Sequence, residues 1–136
     1  RSMEKRLGDR VQTVLSDPGL LKVFQTFGAD VFRRSSVFHG LEKFLEENKL
    51  SGKLCFEIGT WNGLTAAILA RHFEQVITVD IAHNPVKHRI FKLLGIHNVR
   101  CLDITDNREK WAVARDVDFD FAYLDGDHVH DTESDF

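Results

Sequence analysis

The chain has 136 residues, 43% of them hydrophobic and 29% charged, with 18 Lys and Arg against 21 Asp and Glu for a net charge of −3. That length makes about one domain, and the composition excludes a disordered tail or a collagen-like repeat. A mildly acidic chain has no global field to draw it onto nucleic acid or an anionic membrane, and no apolar run approaches the ~18 residues that span a bilayer, so a soluble, cytoplasmic protein is expected.

The first fifty residues read as helical. Val11, Val14 and Leu15 mark a weak helix, which Asp17-Pro18-Gly19 separates from a Phe24/Phe27/Phe32 segment. Val37, Phe38, Leu41, Phe44 and Leu45 then recur at i, i+1, i+4, i+7 and i+8, with Glu42, Lys43, Glu46 and Glu47 opposite. That stripe predicts a helix capped by Ser35 or Ser36 and ended between Asn48 and Gly52. Eleven phenylalanines in the chain imply an aromatic-heavy core.

From Lys53 the pattern becomes strand, turn and helix in alternation. Leu54–Ile58 is a short apolar run ending in Gly59, and residues 62–73 read as a helix with Leu64, Ala67 and Ile68 inward. Val76–Ile81 is a β-branched strand, after which Asn84-Pro85 supplies an N-cap and a proline at the first helical position. That helix carries Val86, Ile90, Phe91 and Leu94 and stops at Gly95. His97–Leu102 reads as a third strand, Asp106 and Glu109 as the capping box of a helix through Trp111 and Val113, and Phe119–Leu124 as a fourth strand. Strands separated by helices of this length imply a parallel sheet with right-handed crossovers. Residues 1–50 are therefore read as a helical segment, and 51–136 as an α/β core. Cys55 and Cys101 fall on the first and third strands, two spacings or ~9–10 Å apart, beyond the ~7 Å that a disulfide allows.

Chemistry is concentrated in Glu57-Ile-Gly59-Thr-Trp-Asn-Gly63, between the first strand and its helix. Glycines there let backbone amides approach a ligand at a helix N-terminus. The spacing is GxxxG, a wider turn than the GxGxxG of dinucleotide sites. Asp80 closes the second strand 21 residues after Gly59, where a carboxylate can accept hydrogen bonds from ribose hydroxyls. Together these features point to an adenosine-containing ligand at the carboxyl ends of the strands.

The turn, Val76-Ile-Thr-Val-Asp80, Asp103 and Phe119-Asp-Phe-Ala-Tyr-Leu-Asp125-Gly-Asp-His128 make residues 50–136 resemble a class I S-adenosylmethionine-dependent methyltransferase. The last stretch is similar to the branch of small-molecule O-methyltransferases and relatives with a DGDH-like strand end. The resemblance implies a Rossmann-like three-layer α/β/α sandwich with strands ordered 3-2-1-4. Further strands of that family's sheet lie beyond Phe136, so the core is expected to be incomplete at its C-terminus, and the fourth strand to be an apolar edge open to a second copy.

The same resemblance assigns S-adenosylmethionine to Glu57, Gly59, Thr60, Trp61 and Gly63 in the turn, to Asp80 and Ile81 at the ribose, and to Asp103 and Ile104 at the adenine. Asp125, counted with both the cofactor-binding and the catalytic residues, would face the methyl-transfer site and, in metal-assisted members, Mg²⁺. His128 suits a base for an acceptor hydroxyl, since an imidazole titrates near neutrality, and suits a helix cap equally. Asp103 and Asp125 also fit turn chemistry. The expected acceptor is a small hydroxylated molecule; an acidic chain with no basic stripe argues against a nucleic acid, and no membrane partner is expected. A non-catalytic methyltransferase-like module, a nicotinamide-dependent oxidoreductase and a metal-dependent oxygenase on the same scaffold are the other readings.

Overall fold

Alternation along the strands decides which side chains meet. A computed structural model of the chain describes residues 3–33, 35–80, 84–104, 107–116 and 118–124. In β1 (Gly52–Ile58) and β2 (Phe73–Asp80) the pairs Cys55↔Val76 and Glu57↔Thr78 share one face, and Phe56↔Ile77 and Ile58↔Val79 share the other. β3 (Val99–Asp103) pairs with β2 and β4 (Phe121–Leu124) pairs with β1, all parallel, giving the order β3-β2-β1-β4 that the family resemblance implies.

The connections through α4 (Leu64–Leu69) and α5 (Val86–Leu93) step outward from β1 to β3. The connection through α6 (Asn107–Asp116) returns across the sheet to β4. Right-handed crossovers put α4 and α5 on one face, and the reversal puts α6 on the other, which is a Rossmann-like α/β arrangement. The direction changes at β1, so the crevice of the sheet opens at that strand's carboxyl end.

Ahead of the sheet come α1 (Met3–Leu15), α2 (Pro18–Phe27), two 3-10 turns (Ala29–Phe32 and Ser36–His39) and α3 (Leu41–Glu47). Leu20, Val23 and Leu45 from these helices share a single buried cluster with Leu64, Ile68, Ile90, Cys55 and Val76. The N-terminal helices are thus part of the core on one sheet face. Each fully buried leucine there contributes roughly 1.5–3 kcal/mol. Phe56, Ile58 and Val79 form a second cluster on the opposite face, with Leu102 and Ile104 against it. Among the described residues no helix is long and apolar enough to cross a membrane.

Local chemistry shifts several predicted boundaries. The single helix expected from Val37 is split, because Gly40 adopts a left-handed φ of 79° that ends the 3-10 turn and starts α3. Ser35 is its cap, accepting from the Val37 amide at 3.3 Å. Two phenylalanines of the expected aromatic core face solvent, Phe24 and Phe44 being 44% and 50% exposed. α4 is shorter than residues 62–73, because Trp61 to Gly63 belong to the turn before it and Phe73 already begins β2.

The β1–β4 register starts at Asp120. Its carboxylate accepts from the amides of Lys53 and Leu54 at 2.8 and 2.9 Å, and its own amide donates to the Leu54 carbonyl. Those amides hold its carboxyl below the ordinary range. Cys55 and Cys101 are free thiols, as their strand separation requires. Burial, with the charge of Glu57, pushes the Cys55 thiol up to about 12.

At the amino end of the strands Asp17 caps α2, accepting from Gly19 and Leu20, and takes a two-pronged contact from Arg71 at 2.7 and 3.0 Å. Burial pushes its carboxyl up, but the Arg71 hydrogen bond, the two amides and the Arg71 charge outweigh this and hold it below the usual value. A carboxyl depressed in the folded state adds stability above its unfolded pKa, and that stability is lost as pH falls through the folded pKa. Asn caps helices as well as Asp does, so Asp17→Asn removes the charge alone. It should lower stability at neutral pH by about 1 kcal/mol and flatten the acid-side loss below about pH 4. Urea denaturation across pH reads both effects, and curves that stay parallel at every pH would contradict the ion pair's role.

Candidate functional site

The turn between β1 and α4 carries three left-handed residues in five: Gly59 (φ 100°), Trp61 (φ 44°) and Gly63 (φ 85°). Glycine takes such angles freely, but Trp61 takes one against its Cβ, and such strain persists only where surroundings impose it. The imposing group is Asp80, whose Oδ2 accepts from the Trp61 amide at 2.7 Å.

Beneath the turn lies a buried polar chain. Thr78 Oγ1 donates to Glu57 Oε1 at 2.6 Å, and the Thr60 and Thr78 hydroxyls are 2.6 Å apart. Thr78 has one hydroxyl proton and gives it to Glu57, so Thr60 donates to Thr78. Glu57 and Thr78 are fully buried and Thr60 nearly so. A carboxylate in that position costs several kcal/mol unless it is hydrogen-bonded. Its bond therefore ties β1 to β2 just beneath the turn.

Asn62 fixes the far side. Its Nδ2 donates to the Val31 carbonyl at 2.6 Å, and its Oδ1 accepts from the Leu64 amide at 3.1 Å. The 3-10 turn at Ala29–Phe32 is thereby attached to the loop. Gly63 is needed twice over: a Cβ there would lie 2.8 Å from both Lys87 Cβ and Phe91 Cζ, and its φ is left-handed. The lack of a side chain at Gly63 lets α5 pack against the turn.

Asp103 pairs in register with Asp80, setting two carboxylates side by side at the ends of β2 and β3. Lys87, 1% exposed on α5, donates its Nζ to Asp103 Oδ1 and offsets that repulsion. Ile104 donates its amide to the Asp80 carbonyl at 3.1 Å and packs on the Phe56/Ile58/Val79 face.

The structure thus links Glu57 to Thr60 through Thr78 and, separately, Trp61 to Asp80, with Gly59, Gly63, Asp103 and Ile104 around them. Ile81, Asp125 and His128 lie outside the described residues, and with them the candidate metal and base positions. Among the described residues, Glu42, Glu46 and His72 are the grouping of metal-ligating types. They sit at the amino end of the sheet, where Arg71 already holds Glu42 at 3.1 Å.

Sequence reasoning passed over Thr78, Asn62 and Lys87. Lys87 did leave a signal, since 87, 90, 91 and 94 share one helical face and place a lysine on the apolar stripe of α5. Thr78 sits on the same strand face as Val76, where a polar residue needs a buried partner. Nothing local announced that Asn62 would reach Val31.

The turn's amides also differ from the expected ligand cradle. Gly59 N–H donates to the Val79 carbonyl and Gly63 N–H to the Thr60 carbonyl, both at 2.8 Å. With Trp61 on Asp80 and Leu64 on Asn62, four amides of the segment 59–64 are committed inside the protein. The turn is a rigid shelf with an acid beside it, at the crevice of a Rossmann-like sheet, and does not offer these donors to a phosphate.

No protein-family model matches the chain, and no curated protein matches it either. Among solved structures, the crystal structure of the YcgJ protein from Bacillus subtilis is similar over 49% of this chain and 30% of that one, with 23% identity and a TM-score of 0.43. That likeness is too slight to carry a conclusion about fold or activity.

Gly63→Ala should cost about 1–3 kcal/mol more than Gly40→Ala, the scale of overpacking. Both positions are left-handed, but a Cβ at Gly40 meets nothing within 4 Å. Chemical denaturation of the two variants makes the comparison, and equal losses would mean that α5 does not press on the turn.

Proposed function

We propose that the chain binds S-adenosylmethionine on the 59–63 turn and serves methyl transfer to the oxygen of a small hydroxylated molecule. The observation that carries this reading is the combination of a ribose-type acid with a turn in which the amides of Gly59, Trp61, Gly63 and Leu64 are spent internally. Asp80 stands at the carboxyl end of β2 beside the crevice at β1, where ligands of open α/β sheets bind. A dinucleotide would need free amides for its pyrophosphate. An adenosyl cofactor without phosphate does not, so the committed amides favour it over a nicotinamide cofactor.

Residue by residue, the turn would supply the shelf and Asp80 the ribose contact. A carboxylate accepts about four hydrogen bonds, so holding the Trp61 amide does not exhaust it. Asp103, steadied by Lys87, would accept from the adenine amino group. Glu57 acts from below, keeping Thr78 and Thr60 in place rather than meeting the cofactor directly.

The sulfonium of the cofactor makes its methyl group electrophilic when bound. The protein's own part is alignment of the acceptor oxygen, which supplies much of the rate, and removal of the acceptor proton. By the family resemblance His128 would take that proton, and Mg²⁺ held by Asp125 would be the other means of acidifying the hydroxyl.

Asp80→Asn keeps an acceptor for the Trp61 amide and removes the charge. Calorimetric titration with S-adenosylhomocysteine should show binding to the parent chain and a loss of about 1–3 kcal/mol in the variant. An unchanged dissociation constant would remove the ribose assignment, and binding of NADH in place of S-adenosylhomocysteine would remove the cofactor assignment.

A further inference from the structure

A hollow lies among the N-terminal elements, away from the 59–63 turn. It encloses about 500 Å³ between α1, α2 and the two 3-10 turns. That volume is in the ~300–1,000 Å³ range of small-molecule sites. Val14 and Phe32, 8% and 5% exposed, form its buried wall, and Val11, Leu15, Phe24 and Phe38 surround the opening. Exposed apolar side chains gathered around a concavity, rather than scattered, mark a binding surface.

The charged groups lining this hollow are Arg10, Arg33 and Asp30, all on the exposed side. The Arg10 guanidinium lies over the Phe38 ring, 5.3 Å from its centroid. Stacking of that kind holds the planar fork while leaving its edge donors available to a carboxylate or phosphate. Among the described residues, neither Arg10 nor Arg33 forms a side-chain hydrogen bond or an ion pair. Two guanidiniums against one carboxylate leave the rim net positive above an apolar wall.

We infer that this hollow binds a small amphipathic anion, its apolar body against Val14, Phe24 and Phe32 and its acidic head on Arg10 and Arg33. The site does not depend on the adenosyl reading and would stand if that reading failed. It has one structural link to the turn, since Val31, between Asp30 and Phe32, is the residue whose carbonyl Asn62 holds.

Octanoate is the probe, with octan-1-ol as the neutral control of equal chain length, each titrated calorimetrically into the chain. Octanoate should bind one to one and at least about tenfold more tightly than the alcohol, as a charged hydrogen bond requires. The double variant Arg10→Gln/Arg33→Gln should bring octanoate down to the alcohol's affinity. Val11 is 50% exposed, so Val11→Trp fills the opening with little disturbance of the core and should abolish octanoate binding. Thermal melting confirms that both variants fold. No octanoate binding, equal binding of acid and alcohol, or full binding by a folded Val11→Trp variant would overturn the inference. Sedimentation that shows a dimer unaffected by octanoate but dissociated by Val11→Trp would also overturn it, assigning the face to a second copy.

Discussion

The hydrogen bond from the Trp61 amide to Asp80 governs the shape of the site. It holds a tryptophan at a φ of 44°, which no L side chain favours, and so bends the chain sharply between β1 and α4. Gly59 and Gly63 make the remaining left-handed steps without strain. At the last of them a Cβ would meet Lys87 and Phe91, so the absence of a side chain at Gly63 also sets how closely α5 packs on the turn.

Around this bond the protein settles an unusual density of charge at the ends of its strands. Glu57, Asp80 and Asp103 lie on three neighbouring parallel strands. Each is met differently: Glu57 by a buried hydroxyl, Asp80 by a backbone amide, Asp103 by a lysine almost wholly removed from solvent. Such groups are costly to bury alone and tolerable when bonded. The region is therefore fixed in geometry before any ligand arrives, which is what a binding shelf requires.

The sheet was legible because short apolar and β-branched runs, glycine and proline punctuation, and helix-length spacers all agree from Lys53 to Leu124. The glycine turn and Asp80 were legible for the same reason, each standing at a strand's carboxyl end. The N-terminal half was read less well. Gly40 interrupts a helical stripe that periodicity alone would run through, and Phe24 and Phe44 face water despite their apolar spacing. The polar contacts beneath the turn were hidden because they join residues far apart in sequence. Thr78 to Glu57 spans 21 positions and Asn62 to Val31 spans 31, and no local pattern encodes such a pairing. The direction of the turn's amides was likewise hidden, since glycine spacing indicates where a chain bends but not where its N–H groups point.

We read the strained turn and Asp80 as an adenosyl shelf without a phosphate cradle. Backbone amide spectra of the ¹⁵N-labelled chain, recorded during titration with S-adenosylhomocysteine and separately with NADH, test it most directly. S-adenosylhomocysteine should shift the amides of residues 59–63 and 80 while NADH leaves them unmoved. Unmoved amides in that segment at saturating S-adenosylhomocysteine, or a shift produced there by NADH, would contradict it.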